Sequence, residues 1–526
     1  MLTVRAAVRD FLRTKNMTTV IGNPGSTELG FLQQWPKDLR YMHFLEEGAA
    51  VAAADGYAQL SGLPVLVNLH SAAGLGNAMG SIITAHHNRA PVILLAGQQE
   101  RSMLPHNPFL ANLDPLGLGG TYLKWAHEPA RAEDVPEALA HAVQIATQPP
   151  YGPVLLSVPA KDWEAEASPV GNRPRPAPCA PHPEMVQDLA DALARSSRVA
   201  FVVGAAVDQD RAVAPLVTLV DRLGCEVWAA PMSPRCSFPE DHPRFAGHLP
   251  ASAGPLTAAL AGYDLVVVLG APTFTYHVHT PPTAALPPLF VLSDDPQILT
   301  RTPAGATGIH TSLGLGIYRL LEVTEPRTPT PPTPPATLRL PPPPAGETIT
   351  AALVLATLAT LLPADAVVVE EIPSHRDDLH RYLPITSTHA GYLSTGGGVL
   401  GYAVSAAVGA ALAEPSRPVV ALVGDGSLPY RPQGLWTAAQ QRLPITIVVL
   451  DNHGYGALRN MAASAGADGV PGLDIHDLDF VALAHSFGCR AHSVTDPSEL
   501  RPALVDALKG NNIPTLVHVV VEPATA

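Results

Sequence analysis

The sequence predicts an α/β protein built from three doubly wound, mainly parallel sheets. Three observations carry that expectation: short continuous apolar runs recur along the chain, Ala/Leu-rich helical stretches separate them, and two proline-rich breaks divide the whole. A strand covered on both faces shows no polar side, so such runs read as central parallel strands. In chain order they are Thr18 to Ile21, Val65 to Leu69, Val92 to Ala96, Val154 to Val158, Val199 to Val203, Leu265 to Leu269, Val367 to Val369, Val419 to Val423, Ile445 to Leu450 and Leu516 to Val521. Residues 171–183 and 325–345 carry too many prolines to continue a helix or a central strand and read as stiff, extended linkers. Domains over 1–170, 184–324 and 346–526 follow. The proline runs could instead serve as polyproline ligands for a partner, but their position between compact segments is explained more simply by joining them.

Bulk properties narrow the function. At 526 residues the chain has ample apolar surface for several cores. Its net charge is −14 and Lys plus Arg total only 32, so it has no basic stripe to neutralise a phosphate backbone, and nucleic acid is not an expected partner. The four cysteines, Cys179, Cys225, Cys236 and Cys489, are scattered without a Cys-x-x-Cys pair, which argues against a disulfide scaffold and against a zinc site. With no signal-length apolar run at the start and no run of membrane-spanning length later, a cytoplasmic protein that does not enter membranes is expected.

One motif names a chemistry. An apolar strand runs into Gly424-Asp425-Gly426; twenty-four residues later a second strand runs into Asp451-Asn452. Both ends then lie at the C-terminal edge of a parallel sheet, where open α/β folds bind ligands. A carboxylate and a carboxamide there are hard oxygen ligands suited to Mg²⁺, which shares its shell with phosphates, and the flanking glycines let backbone approach a diphosphate. Gly-Asp-Gly alone is a common strand-to-loop turn; the second element at this distance makes the pair informative.

The first domain offers a second constellation. Gly22-Asn23-Pro24-Gly25-Ser26-Thr27-Glu28 links a strand to a helix and places Ser26 near a helix N-terminus, where it could hold a carboxylate or serve as an ordinary cap. Glu46 and Glu47 head an alanine-rich helix too apolar for an exposed surface. One carboxylate is solvated and one turned inward, and composition does not choose between them. Asn68-Leu69-His70-Ser71-Ala72-Ala73-Gly74 ends another strand with a histidine, a residue that alone is more often structural than catalytic.

These segments resemble the benzoylformate decarboxylases of the thiamine-diphosphate-dependent 2-oxo acid decarboxylase family. The likeness rests on Gly-Asn-Pro-Gly-Ser-x-Glu-Leu, the Glu47 helix with Ala54-Asp55-Gly56-Tyr57-Ala58-Gln59, Asn-Leu-His-Ser-Ala-Ala-Gly and Gly270-Ala271-Pro272-Thr273-Phe274-Thr275-Tyr276-His277. Gly398-Val399-Leu400-Gly401-Tyr402-Ala403, Gly454-Tyr455-Gly456-Ala457-Leu458-Arg459 and Val470-Pro471-Gly472-Leu473-Asp474 continue it through the last domain. The Asp-Asn pair keeps the second Asn of the family's metal motif and has Asp451 in place of the first.

The resemblance implies cofactors, thiamine diphosphate with Mg²⁺ (or Ca²⁺), and roles. Glu47 would hydrogen-bond the aminopyrimidine; Leu400 would prop the cofactor into its bent shape, with the Gly398 carbonyl near its amino group. Asp425, Asn452 and the Gly454 carbonyl would hold the metal, with Gly424, Gly426, Ser374, Ser427 and Tyr455 around the diphosphate. Ser26 would anchor the substrate carboxylate, and His70 and His277 would relay protons. His86-His87 is read as structural. The substrate pocket would comprise Ser26, Ser394, Ala457, Leu458, Met461 and Leu473; Ser394 and Met461 stand where the resembled enzyme has aromatic residues. The implied activity is decarboxylation of an aromatic 2-oxo acid to aldehyde and CO₂, with carboligation on the side, in a homodimer at least and by resemblance a homotetramer. Rival readings are an acetolactate-synthase-like carboligase, which should carry FAD, a decarboxylase of branched or aliphatic 2-oxo acids, and an inactive structural or regulatory family member, which should fail to bind the cofactor.

Overall fold

The computed structural model describes residues 2–171, 173, 177–327, 346, 348–510 and 512–523. Three six-stranded sheets, every pairing within them parallel, form the frame. The α/β class expected from the apolar runs is the class observed. Of the two expected linkers, 325–345 lies almost wholly, and 171–183 in part, outside the described residues.

The first sheet orders Arg40–His43, Thr19–Gly22, Val65–Leu69, Val92–Gln98, Val154–Pro159 and Trp125–His127. The last orders Tyr392–Ser394, Val367–Glu371, Val419–Gly424, Ile445–Asp451, Thr515–Val520 and Arg490–Val494. Numbered within each sheet by chain position, both read 2-1-3-4-6-5. The order therefore reverses between the first and third strands of each, and the loops leaving those two strands flank a crevice. The loop after Thr19–Gly22 carries Ser26 and Glu28, and the loop after Val65–Leu69 carries His70. In the last sheet the corresponding loops carry Ser374 and Asp425. The middle sheet has the order 3-2-1-4-5-6 and runs from Phe245–His248 through Val199–Val203 and Leu265–Leu269 to Thr307–His310.

Every apolar run read from the sequence is a strand. The strands it did not show lie at sheet edges or beside them, such as Arg40–His43 and Arg490–Val494, where one side needs no apolar cover and polar residues interrupt the run.

Among the contacts that tie the domains together, two stand out. The helix Glu47–Ser61, buried along almost its whole length, crosses the helix Ala403–Ala413 of the last domain with two glycines at the contact. Elsewhere, the fully buried Arg235 guanidinium pairs with Asp208 at 2.5 Å and donates to Gln59 Oε1 at 2.8 Å, while Asp208 Oδ1 accepts the Ala390 N–H at 3.0 Å. One ion pair thus joins all three domains. Burial pushes the Asp208 carboxyl up, but the Arg235 charge prevails and holds it below its ordinary value. Removing one partner strands a buried charge, so Arg235→Met is expected to lose about 3–5 kcal/mol, read as a lowered urea midpoint.

Candidate active site

The site is built from the two switch-point crevices. In the first, Ser26 opens a single 3-10 turn, Ser26–Glu28, and is exposed. Glu28 folds back on that turn: its Oε2 accepts the Gly25 N–H at 3.0 Å and lies 3.1 Å from His70 Nδ1. The ring packs so closely that a Cβ on Gly25 would stand 2.0 Å from His70 Nδ1. With Nδ1 engaged by Glu28, Nε2 is the ring nitrogen left for chemistry. The sequence signal for Glu28 is its place three residues after Gly25, the spacing of a capping box.

The structure decides between Glu46 and Glu47. Glu46 is the N-cap, accepting the N–H groups of Gly48 at 2.8 Å and Ala49 at 2.7 Å and pairing with Arg431 at 3.3 Å. Glu47 turns inward, 8 % exposed, and accepts from Asn23 Nδ2 at 3.3 Å and Asn77 Nδ2 at 3.2 Å. Both asparagines are positioning residues that spacing did not reveal. A Cβ on Gly74, in the turn after His70, would lie 3.2 Å from Glu47 Oε1, so Glu47, His70 and the Ser26 turn belong to one cluster.

In the last domain, Asp425 Oδ2 accepts the Gly454 N–H at 2.6 Å. The Asn452 amide nitrogen lies 3.4 Å from His375 Nε2, which directs the carboxamide oxygen to within 3.3 Å of Asp425 Oδ1 and 2.7 Å of the Gly454 carbonyl oxygen. In that orientation three oxygens converge with no proton between them, a donor set that a hard cation satisfies. The alternative orientation would have the amide donate to both oxygens. Burial, and then the neighbouring Asp451, push the Asp425 carboxyl up to about 6. Asp451, beside it, is bound to His518 at 2.8 Å and His453 at 3.2 Å. The residues therefore fit a metal–diphosphate group. Gly426 fits it too, since a Cβ there would meet the Tyr455 ring at 2.8 Å.

Ser374 Oγ accepts the Ala457 N–H at 2.9 Å, and Ser427 is buried beside Gly424. Gly398 has φ +68, with open space where a side chain would point. The loop carrying Leu400 is anchored by Glu371, whose carboxylate accepts the N–H groups of Gly401, Tyr402 and Ala403; burial nonetheless pushes that carboxyl up to about 7. Leu458 and Met461 stand exposed on the helix Gly456–Ser464, with Ala457 and Leu473 partly covered beside them. Ser394 is not on that face: it is 2 % exposed, donates to Glu370 at 2.8 Å and accepts from Arg376 at 3.1 Å. His86 and His87 lie on the helix Met79–His87 against Tyr122.

Ser26, His70 and Glu47 come together in one place, and Asp425, Asn452, Gly454, Ser374 and Tyr455 in another. Among the described residues no hydrogen bond or ion pair joins the two groups. His277 is exposed, its backbone N–H bound to the Ala251 carbonyl at 2.8 Å, and its ring reaches neither.

Three family models cover the chain: the N-terminal TPP binding domain of thiamine pyrophosphate enzymes over residues 2–118, the central domain over 186–316 and the C-terminal TPP binding domain over 371–519. The chain belongs to the thiamine pyrophosphate enzymes. It is 39 % identical over 532 residues to the benzoylformate decarboxylase of Pseudomonas aeruginosa, covering 99 % of each chain, and this places it among the carboxy-lyases of benzoylformate-decarboxylase type. The structure of a benzoylformate decarboxylase from Polynucleobacter necessarius superimposes with a TM-score of 0.95 at 35 % identity, covering 100 % of each chain. A thiamine diphosphate-dependent 4-hydroxybenzoylformate decarboxylase of Rhodococcus jostii gives 0.95 at 37 %, over 99 % of each. Similarity to the acetolactate synthase large subunit of Corynebacterium glutamicum is lower, 26 % over 98 % of this chain and 86 % of that one. No helix among the described residues is long and apolar enough to cross a membrane.

Proposed function

We propose that this chain decarboxylates an aromatic 2-oxo acid of the benzoylformate type without oxidation, releasing the aldehyde and CO₂, with thiamine diphosphate and Mg²⁺ bound. The observation that carries the reading is the cluster of Ser26, the Glu28-held His70 and the inward Glu47 at one crevice. Thiamine diphosphate supplies an electron sink for the carbon that loses CO₂. The protein's own groups do the rest. The Ser26 hydroxyl donates to the substrate carboxylate, His70 Nε2 delivers the proton that replaces CO₂, and Glu47 holds the aminopyrimidine. Asp425 Oδ1, Asn452 Oδ1 and the Gly454 carbonyl would hold Mg²⁺; Ser374, Ser427, Gly424, Gly426 and Tyr455 would surround the diphosphate, and Gly398 and Leu400 would seat the cofactor between its ends.

The separation of the two groups within one chain, and of His277 from both, supports a homodimer as the smallest active unit and a homotetramer as its assembly. There the exposed Leu458 and Met461, with Ala457 and Leu473, wall a pocket completed by a neighbouring chain. Ser394, held by Glu370 and Arg376, is kept as a pocket residue. Carboligation is the expected side reaction, and domain limits of 1–170, 184–324 and 346–526 suit the three sheets. Four unpaired cysteines accord with a cytoplasmic setting. The acetolactate-synthase-like alternative has less support in identity and would bring flavin.

Purified protein given benzoylformate should form benzaldehyde only when both thiamine diphosphate and Mg²⁺ are present. Bound cofactor without benzaldehyde would reject this substrate, and a yellow flavoprotein making 2-hydroxy ketones would favour the synthase reading. Losing one hydrogen bond to a charged group costs about 1.5–3 kcal/mol, so Ser26→Ala should lower kcat/KM about 10–100-fold. Unchanged kinetics would remove Ser26 from the substrate site.

A further inference from the structure

Where the central domain meets the last, three side chains of metal-ligating type close on one carboxylate oxygen of a fourth. Cys236 Sγ lies 3.3 Å, His248 Nε2 2.9 Å and His380 Nδ1 2.8 Å from the same oxygen, Glu240 Oε1. The donor atoms of Cys236, Glu240 and His380 are all within 4.8 Å of one another, and the two imidazoles stack with centroids 4.0 Å apart. The other carboxylate oxygen is already committed, accepting the Ile385 N–H at 2.8 Å. Three donors thus crowd one oxygen, and one of them fails: His380 Nδ1 is buried and, despite its distance, makes no hydrogen bond. An unsatisfied buried nitrogen is costly, and here it points into the cluster.

We propose that Cys236, Glu240 and His380, joined by His248 swinging in from the exposed side, form a four-ligand site for a zinc-type divalent cation that clamps the central domain to the last. The donors, one sulfur, two imidazole nitrogens and one carboxylate oxygen, are those of tetrahedral zinc and unlike the oxygen set of Asp425, Asn452 and Gly454. With zinc–nitrogen and zinc–oxygen bonds of about 2.0–2.2 Å, tetrahedral N···O edges are about 3.3–3.5 Å. The observed 2.8 and 2.9 Å are shorter by about half an ångström; a small swing of the His380 ring supplies this, and His248, outside the 4.8 Å group, makes a larger one. Charge balances as well. Glu240 enters as a carboxylate. The Cys236 thiol gives its proton to solvent as the sulfur–metal bond forms. Thiolate and carboxylate then neutralise a dication. His248, with 34 % of its side chain exposed, is the way in; Glu240, at 1 %, is the floor. Sequence spacing did not show the site because His380 comes from another domain.

The test uses the full-length holoenzyme saturated with Mg²⁺ and thiamine diphosphate, so that the oxygen site is filled, and Co²⁺ as the probe. A cobalt–thiolate bond absorbs by charge transfer in the near ultraviolet, and tetrahedral cobalt gives intense visible bands. Both should appear with one equivalent of Co²⁺ per chain and be bleached by Zn²⁺. The charge-transfer band should vanish in Cys236→Ser and persist in Cys179→Ser, whose sulfur is exposed elsewhere. Zn²⁺ should raise the melting temperature of the wild type and not of His380→Gln. A folded wild type without the band, or a band retained by Cys236→Ser, overturns the site. Should Cys236→Ser not fold, His248→Gln decides: unchanged visible bands there refute the four-ligand arrangement, and altered ones uphold it.

Discussion

Glu47→Gln is expected to lower kcat by about 10²–10⁴-fold while leaving thiamine diphosphate binding within a few-fold of wild type, the range typical for loss of a positioned acid–base group. Glutamine keeps the volume of the side chain at the head of the helix Glu47–Ser61, and its amide oxygen can still accept from Asn23 or Asn77, so the local fold should survive. What it lacks is a carboxylate able to hold and exchange a proton with the aminopyrimidine. The adjacent Glu46→Gln change provides the contrast. Glu46 caps the helix and faces Arg431, so its loss should register as about 1 kcal/mol of stability, with far less effect on turnover. Steady-state kinetics at saturating cofactor, with equilibrium dialysis of thiamine diphosphate, separate the two. A Glu47→Gln enzyme with wild-type turnover would remove Glu47 from the chemistry.

Gly409→Leu should be the most destabilising single change at the junction of the first and last domains. A Cβ at this position would stand 1.9 Å from the Ala53 carbonyl oxygen and 2.7 Å from the Tyr57 nitrogen, both backbone atoms that no rotamer can move. Gly56 answers from the other helix, where a Cβ would lie 2.2 Å from the Ala406 carbonyl oxygen. Leucine is a better helix former than glycine by roughly 0.8 kcal/mol, so propensity alone would favour the variant. The clash opposes that gain and should win, because separating two close-packed helices costs about 3 kcal/mol or more. The expected result is a clearly lowered melting temperature, together with reduced activity, since the same helix carries Glu47. A variant as stable as wild type would mean that the helices do not cross this closely.

The contrast between these two positions shows what kind of information a sequence holds. The helix from Glu47 was legible because an alanine-rich stretch after two glutamates marks a buried helix. The buried strands were legible for the related reason that a strand covered on both faces must be apolar throughout. The Gly424-Asp425-Gly426 and Asp451-Asn452 ends followed from those strands, because a parallel sheet places all its C-terminal ends on one edge.

What only the tertiary structure decided concerns partners far apart in the chain. Glu46 and Glu47 are equivalent in composition; the backbone N–H groups of Gly48 and Ala49 took one, and Asn23 and Asn77 took the other. His70 became oriented because strand order sets it against Glu28, and the Asn452 carboxamide because His375 lies behind it. Ser394, read as a pocket residue, proved to be held by Glu370 and Arg376, a network that no local pattern announces. Cys236 comes within 4.8 Å of His380 across a domain boundary, a meeting that no cysteine spacing announces. Periodicity and motif spacing report whether a residue is buried and on which element, because those are local consequences of backbone geometry. Which side chain faces which depends on how separate elements pack, and by itself the sequence determined the elements, the cofactor-binding edges and the chemical types available there, but not those pairings.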